Sequence, residues 1–293
     1  MENDSLALRV ALVAGATRGA GRGIAVQLGA RGATVICTGR STRTQASDLN
    51  RPETTEDTAE LVTAAGGRGV AIRCDHSDER QVAALMARVQ SEFGGLDILV
   101  NDIWGGESLS EWGQRFWEQN LSKGRLMLER AVWTHILTAH AGLPLLRPGG
   151  LIAEITDGDG WYYRGNFFYD LAKTGVMRLA QNWASELKDD ARQITSVSLT
   201  PGFLRSEEML SHFGVTAQTW RDAIGQDPNF AESETPHFVG RALAHLAADP
   251  NRFRFNGRAL ASWTLMDEYG FTDIDGRTPH WGSWFERQKA GSP

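Results

Sequence analysis

Short apolar runs alternate with longer segments of helical period through the first two-thirds of the chain. Leu8–Gly15 (LRVALVAG), Ala33–Gly39 (ATVICTG) and Gly69–Asp75 (GVAIRCD) are aliphatic-rich and predict buried strands. The runs LDILVND (96–102), LIAEIT (151–156) and ITSVSLT (194–200) predict three more. Between them, Ile24 and Leu28 lie one helical turn apart, and Glu53–Ala65 reads as a helix stopped by Gly66-Gly67. Val82, Leu85, Met86, Val89 and Phe93 form a stripe on a further helix, which Ser77 is placed to cap. Long helices are expected over Phe116–Ala141 and Phe168–Leu187, the second with Val176, Leu179, Trp183 and Leu187 on one face. The pattern then predicts a short helix near Thr219, a helix over Pro236–Ala248 and a seventh strand within RALASWT (258–264).

Strands that alternate with helices of 10–20 residues imply right-handed βαβ crossovers and an α/β fold. The expected architecture is a doubly wound parallel sheet of about seven strands with helices on both faces. It forms one domain over residues 1–265, with residues 266–293 as a C-terminal extension. Trp281, Trp284 and Phe285 in that extension are expected to pack on the core or in a subunit contact.

With 41% hydrophobic and 23% charged residues among 293, the composition is globular and excludes a disordered chain. Thirty Lys+Arg against 36 Asp+Glu give −6, which argues against nonspecific binding to nucleic acid or an anionic membrane. Cys37 and Cys74 each lie in an apolar run and are expected to be buried thiols, with no disulfide framework and no metal cluster. The start, MENDSLALRV, lacks the basic and apolar regions of a signal peptide, and no apolar run approaches the roughly 18 residues of a membrane helix. A cytoplasmic protein is expected.

Candidate chemistry begins directly after the first strand. Gly15-Ala16-Thr17-Arg18-Gly19-Ala20-Gly21 sits between a strand and a helix, where glycines allow a tight turn and close approach of a pyrophosphate to the helix N-terminus. At the end of the second strand, Arg40-Ser41 stands where an NAD-preferring site would place an acidic residue, and the first carboxylate beyond is Asp48. Arg40, with Arg18, is suited to a 2′-phosphate, so NADP(H) is expected over NAD(H). Tyr169 and Lys173 share a helical face. The lysine charge favours the phenolate, and the lysine is also suited to holding ribose hydroxyls.

The G-x-x-x-G-x-G spacing of Gly15, Gly19 and Gly21, with Tyr169-x-x-x-Lys173 far downstream, resembles the short-chain dehydrogenases/reductases. Asn101-x-x-Trp104-Gly105-Gly106 is similar to the branch of dehydrogenase/reductase SDR family member 1. The resemblance implies a Rossmann fold and hydride transfer between nicotinamide C4 and a small-molecule carbonyl or alcohol, with Tyr169 as general acid/base. It places Asp75 and His76 near the adenine and Asn101 near the adenosine ribose, although the motif around Asn101 departs to Asp102-Ile103-Trp104. It assigns Asn120 to a helix kink that holds a water near Lys173. Pro201, Gly202, Leu204 and Ser206 fall beside the nicotinamide, and a substrate lid covers about 203–235. Homodimers or homotetramers, paired through the two long helices, are also implied.

The catalytic serine of the family is missing. Thr156 and Asp157 occupy the end of the fifth strand where two serines are usual. Thr156 stands at the family's separation from Tyr169, whereas Asp157 aligns with the catalytic serine by distance from the strand. An ionised aspartate only accepts hydrogen bonds. Three readings follow: Thr156 replaces the serine; Asp157 donates a proton or anchors an amine or iminium substrate; or reduction is weak and the protein serves as an NADP(H)-binding partner or sensor. Glu154, Asp157 and Asp159 together would bias the pocket toward polar substrates. Trp104, Trp161, Tyr162, Tyr163, Phe167 and Phe168 offer apolar walls for a ring.

Overall fold

In the computed structural model the described residues are 5–46 and 50–291; Asp48 and Met1–Asp4, which figure in the expectations above, lie outside them. Seven parallel strands form one sheet in the order β3-β2-β1-β4-β5-β6-β7. They are β1 (Val10–Ala14), β2 (Thr34–Gly39), β3 (Arg68–Arg73), β4 (Leu96–Asn101), β5 (Leu146–Ile155), β6 (Thr195–Thr200) and β7 (Ala259–Ala261). Every residue of β1, β4 and β6 is buried, as expected for central strands covered on both faces.

One face of the sheet packs against α1 (Gly19–Ala30), α2 (Thr55–Ala64) and α8 (Pro236–Ala248), through residues such as Ile24, Leu28, Val62, Phe238 and Leu243. The other face packs against α3 (Glu79–Phe93), α5 (Thr134–Gly142) and α6 (Phe167–Glu186), through Val82, Leu85, Met86, Val89, Ala139 and Trp183. Each aliphatic side chain fully removed from water in these layers contributes about 1.5–3 kcal/mol. The doubly wound α/β architecture read from the sequence is therefore the one observed.

Several local expectations are corrected. Asp78, not Ser77, caps α3: its carboxylate accepts from the Arg80 and Gln81 amides, while Ser77 donates to Asp75. The stretch expected as one helix over 116–141 is broken. After a 3₁₀ turn at Phe116–Glu118, α4 (Leu121–Leu128) runs into a π-turn at Glu129–Trp133 and continues as α5. On α6, Val176 of the expected stripe is buried and Trp183 and Leu187 pack partly buried against the core, while Ala172, Met177, Ala180 and Ala184 complete the buried face. The seventh strand ends at Ala261, and Ser262 opens an unforeseen helix, α9 (Ser262–Tyr269). Residues 203–235 carry the short α7 (Glu207–His212), and the described residues end in α10 (Trp281–Gly291). Among the described residues no helix is long and apolar enough to cross a membrane, and no cluster of potential metal ligands occurs. Both cysteines are free and buried, and burial pushes each thiol up to about 12.

Candidate active site

Strand order reverses between β1 and β4, and a cleft of about 1070 Å³ opens over the C-terminal ends of the strands at this point. Gly15 turns the chain out of β1 with φ +90°. A Cβ there would stand 2.2 Å from the Asp102 carbonyl oxygen, so only glycine fits. Arg18 precedes α1 without a side-chain cap, so carboxylates from elsewhere in the chain meet the first amides of the helix. One of them, Gly19 N–H, donates to Glu207 Oε2 at 2.8 Å, so the turn accepts an anionic oxygen. Glu207 Oε1 also lies 3.4 Å from Arg22. Thr17, Arg18, Arg40, Ser41 and Asp75 line the same end of the cleft. Against the cost of burial, hydrogen bonds from Ser77 and the nearby Arg40 charge hold the Asp75 carboxyl below its usual range.

At the other end, Asn166 builds the start of α6. Its side chain accepts from the Tyr169 amide at 3.0 Å and donates to the Glu111 carbonyl at 2.8 Å. Tyr169 sits on the first turn with its hydroxyl donating to Asp157 Oδ2 at 2.7 Å. Burial, then the Asp157 charge and this hydrogen bond, raise the phenol well above its ordinary value, so it is protonated. The ring is flanked by Trp104 at 5.5 Å, edge-on, and Trp112 at 5.2 Å. Lys173 Nζ lies 4.0 Å from the Trp104 ring centroid and 5.5 Å from that of Tyr169. Burial lowers its pKa, opposed by the charges of Asp157, Asp102 and Glu107. The Thr156 hydroxyl is turned away and donates to the Lys173 carbonyl at 2.8 Å. Of the two serine replacements, Asp157 is therefore the one whose side chain reaches Tyr169.

A family profile described as enoyl-(acyl carrier protein) reductase matches residues 15–260. The chain is 35% identical over 276 residues to dehydrogenase/reductase SDR family member 1 of Mus musculus, covering 92% of this chain and 84% of that one. The chain belongs to the short-chain dehydrogenase/reductase family. It is also 28% identical over 256 residues to cis-4-hydroxycyclohexanecarboxylate dehydrogenase of Sinomonas cyclohexanicum, covering 85% of this chain and 93% of the relative. A solved structure described as a dehydrogenase from Xanthomonas campestris superposes with a TM-score of 0.75 at 25% identity, over 94% of each chain.

The family uses a nicotinamide dinucleotide, and this short-chain dehydrogenase/reductase has features to hold one: the Gly15 turn, the start of α1 whose Gly19 amide already binds a carboxylate, and Arg18 and Arg40 lining the cleft beside them. Several predicted site residues are nonetheless placed elsewhere. Asn120 is exposed and caps α4, accepting from the Ser122 and Lys123 amides; a π-turn lies at Glu129–Trp133, where Glu129 and Arg130 line the cleft. Asn101 is fully buried and donates to Glu154 at 2.7 Å, behind the cleft wall. Glu154 does not face a substrate, because its other oxygen pairs with His135 at 2.5 Å and the group is fully buried. His76 does line the cleft, with both ring nitrogens engaged by Thr38 and Thr138. Gly21 gives its amide to Asp102 Oδ2 at 2.5 Å, and burial pushes the Asp102 carboxyl up to about 7. Ala20, Pro201, Gly202, Leu204 and Ser206 do line the cleft, though Ser206 also caps α7 through the Met209 amide.

Four contributors were not foreseen. Arg164, with a side chain 3% exposed, donates to the Asp157, Tyr162 and Gly160 carbonyls, to Asp170 at 2.8 Å and to Thr174. It thereby folds the loop that carries Asp157. Glu234, also buried, accepts from Gly202 N–H at 2.9 Å and Ser262 at 2.6 Å, and burial lifts it to about 8. Trp281, from α10, lines the cleft beside Gly202. Only Asn166 carried a sequence signal, as an Asn just before a helical pattern; an arginine in a loop or a tryptophan near a terminus has no such signature.

Proposed function

We propose that this short-chain dehydrogenase/reductase is an NADP(H)-dependent oxidoreductase that interconverts a carbonyl and an alcohol. The observation that carries the reading is the protonated Tyr169 hydroxyl at the cleft, with Lys173 beside it on α6 and the anion-accepting glycine turn across the same cavity. When bound, the nicotinamide supplies or accepts the hydride. Tyr169 gives its proton to the carbonyl oxygen as that oxygen gains charge. Lys173 steadies the phenolate left behind and holds ribose hydroxyls. Asp157 keeps the resting hydroxyl oriented, and a substrate oxygen takes its place as acceptor. Arg18 and Arg40, with no acidic residue at the end of β2, favour a 2′-phosphate and hence NADP(H).

The aromatic residues around Tyr169 favour a ring-bearing substrate, in keeping with the cyclohexane-ring alcohol named for the Sinomonas relative. A second reading, reduction of an imine or iminium, is favoured specifically by the carboxylate of Asp157 at 2.7 Å from the proton donor, where it would balance a cationic C=N group. Homo-oligomerisation through the α4 and α6 surfaces is supported by exposed Trp117, Leu121, Trp133 and Leu171.

The test is NADPH and NADH consumption with a panel of aldehydes, cyclic ketones, quinones and cyclic imines. Tyr169→Phe should lower turnover by about 10²–10⁴-fold while NADPH binding persists. Turnover unaffected by Tyr169→Phe would refute the assignment, and loss of imine but not ketone reduction in Asp157→Asn would favour the second reading.

A further inference from the structure

The C-terminal segment is stitched to the lid at many points. Asp273 accepts from the Thr235 amide at 2.8 Å and from its hydroxyl at 2.5 Å. Asp275 accepts from the buried Arg205 at 2.9 Å, and Arg277 donates to the Ala231 and Ser233 carbonyls. The His280 amide donates to Glu232 at 3.1 Å, and the Trp284 indole donates to Asn229, also at 3.1 Å. These contacts draw α10 over the mouth of the cleft. Trp281 faces Phe203 of the lid, with ring centroids 5.7 Å apart and planes inclined at 31°. It approaches the chain so closely that a Cβ on Gly202 would come within 2.7 Å of the Trp281 Cβ. Phe285, stacked on Trp281 at 6.0 Å, meets Tyr162 at 5.7 Å, and Tyr162 lies on the Arg164-folded loop that carries Asp157. The helix thus bridges the two walls of the substrate side, lid and acid loop.

We infer that Trp281 is a specificity-determining residue: a C-terminal strap holds its indole against Phe203 as the outer apolar wall of the substrate site, which admits a single aromatic or alicyclic ring and excludes larger fused systems. The inference rests on the reading of the cleft as a substrate site for ring-bearing carbonyls. Its physical basis is that a flat indole packed between Phe203 and Phe285, on a helix anchored by the hydrogen bonds of His280 and Trp284, cannot yield to a larger ligand without breaking the strap. It also excludes water from one side of a ring that the wall covers.

The experiment compares wild type, Trp281→Ala and Arg277→Gln in the full-length protein. The kcat/KM ratio for a two-ring over a one-ring ketone is measured with NADPH, beside calorimetric affinity of the same ketones for NADP⁺-loaded protein. Trp281→Ala should raise the two-ring to one-ring ratio at least about tenfold, the factor that one displaced aromatic contact of about 1.4 kcal/mol gives. Arg277→Gln, which loosens the strap but leaves the indole, should move the ratio the same way by less. NADPH affinity, read by fluorescence in all three, verifies that the cofactor end remains folded. An unchanged ratio in Trp281→Ala overturns the inference. Should wild type bind NADPH yet reduce no ketone, the reductase reading fails; the calorimetric ratio then decides alone, and equal ratios, or no ring binding by any of the proteins, overturn the wall.

Discussion

The two ends of the cleft are built in different ways. The end assigned to the dinucleotide rests mainly on local backbone: a glycine turn at φ +90°, the first turn of α1 and a strand end, contributed by neighbouring stretches of β1, α1 and β2, with Arg18 and Arg40 beside them. The end proposed for the substrate is built by side chains drawn from distant segments. Arg164 folds the Asp157 loop, Glu234 bonds to Gly202, and residues beyond 270 anchor residues 231–235. A backbone cradle tolerates almost any side chain but few changes of glycine. A side-chain scaffold tolerates backbone variation but depends on individual buried polar groups, each costly to leave unpaired.

The largest expected effect tests the backbone end. Gly15→Ala forces a Cβ into the Asp102 carbonyl at an unfavourable φ, and NADPH affinity, measured by fluorescence titration, should fall by at least about 100-fold. Retained affinity would show that the turn shifts freely. Next, Arg164→Gln leaves three carbonyls and Asp170 short of donors at a nearly buried position. It should cost about 3 kcal/mol of stability, read by denaturant unfolding. NADPH affinity should stay within about threefold, since the lesion lies at the other end; an equal loss at both ends would break the distinction drawn above.

The smallest effect concerns pH. An unfolded chain releases the Glu234 proton near 4.5, whereas burial, opposed only in part by the Ser262 and Gly202 hydrogen bonds, keeps it bound in the fold up to about 8. Between these values the folded protein binds more protons than the unfolded one, so this group's contribution to stability falls as pH rises. Melting temperatures from pH 5 to 8 should therefore decline less steeply in Glu234→Gln than in wild type. Parallel profiles would remove Glu234 as a contributor.

The same contrast explains what the sequence disclosed. The sheet, its strand ends, the glycine turn and the pairing of Tyr169 with Lys173 follow from local periodicity and short spacings, and the structure places them accordingly. Neither Asn120 nor Asn101 lines the cleft, because a matching residue type near the right position says nothing of the direction in which its side chain points. One caps a helix, and the other bonds to Glu154. The choice between Thr156 and Asp157 was invisible for the same reason, since it depends on which of two successive side chains turns toward α6. Glu234 and Trp281 lie about 30 and 80 residues from their partner Gly202, as their numbers show, beyond any local pattern.

The π-turn at Glu129–Trp133 has a consequence of phase. Each residue of an α-helix advances about 100° around its axis, so one extra residue lodged in a wider turn leaves everything beyond it rotated relative to everything before. Before the turn the helix lays Gly124 against Phe168 of α6. After it, the helix aims His135 into the sheet, where its ring joins Glu154 to the Ile103 carbonyl beneath the cleft. Residue counting that runs straight through 121–142 falls one step out of register halfway along. Excising a single residue there would keep the helix but swing His135 out of the interior, taking with it the prop under the loop that carries Trp104.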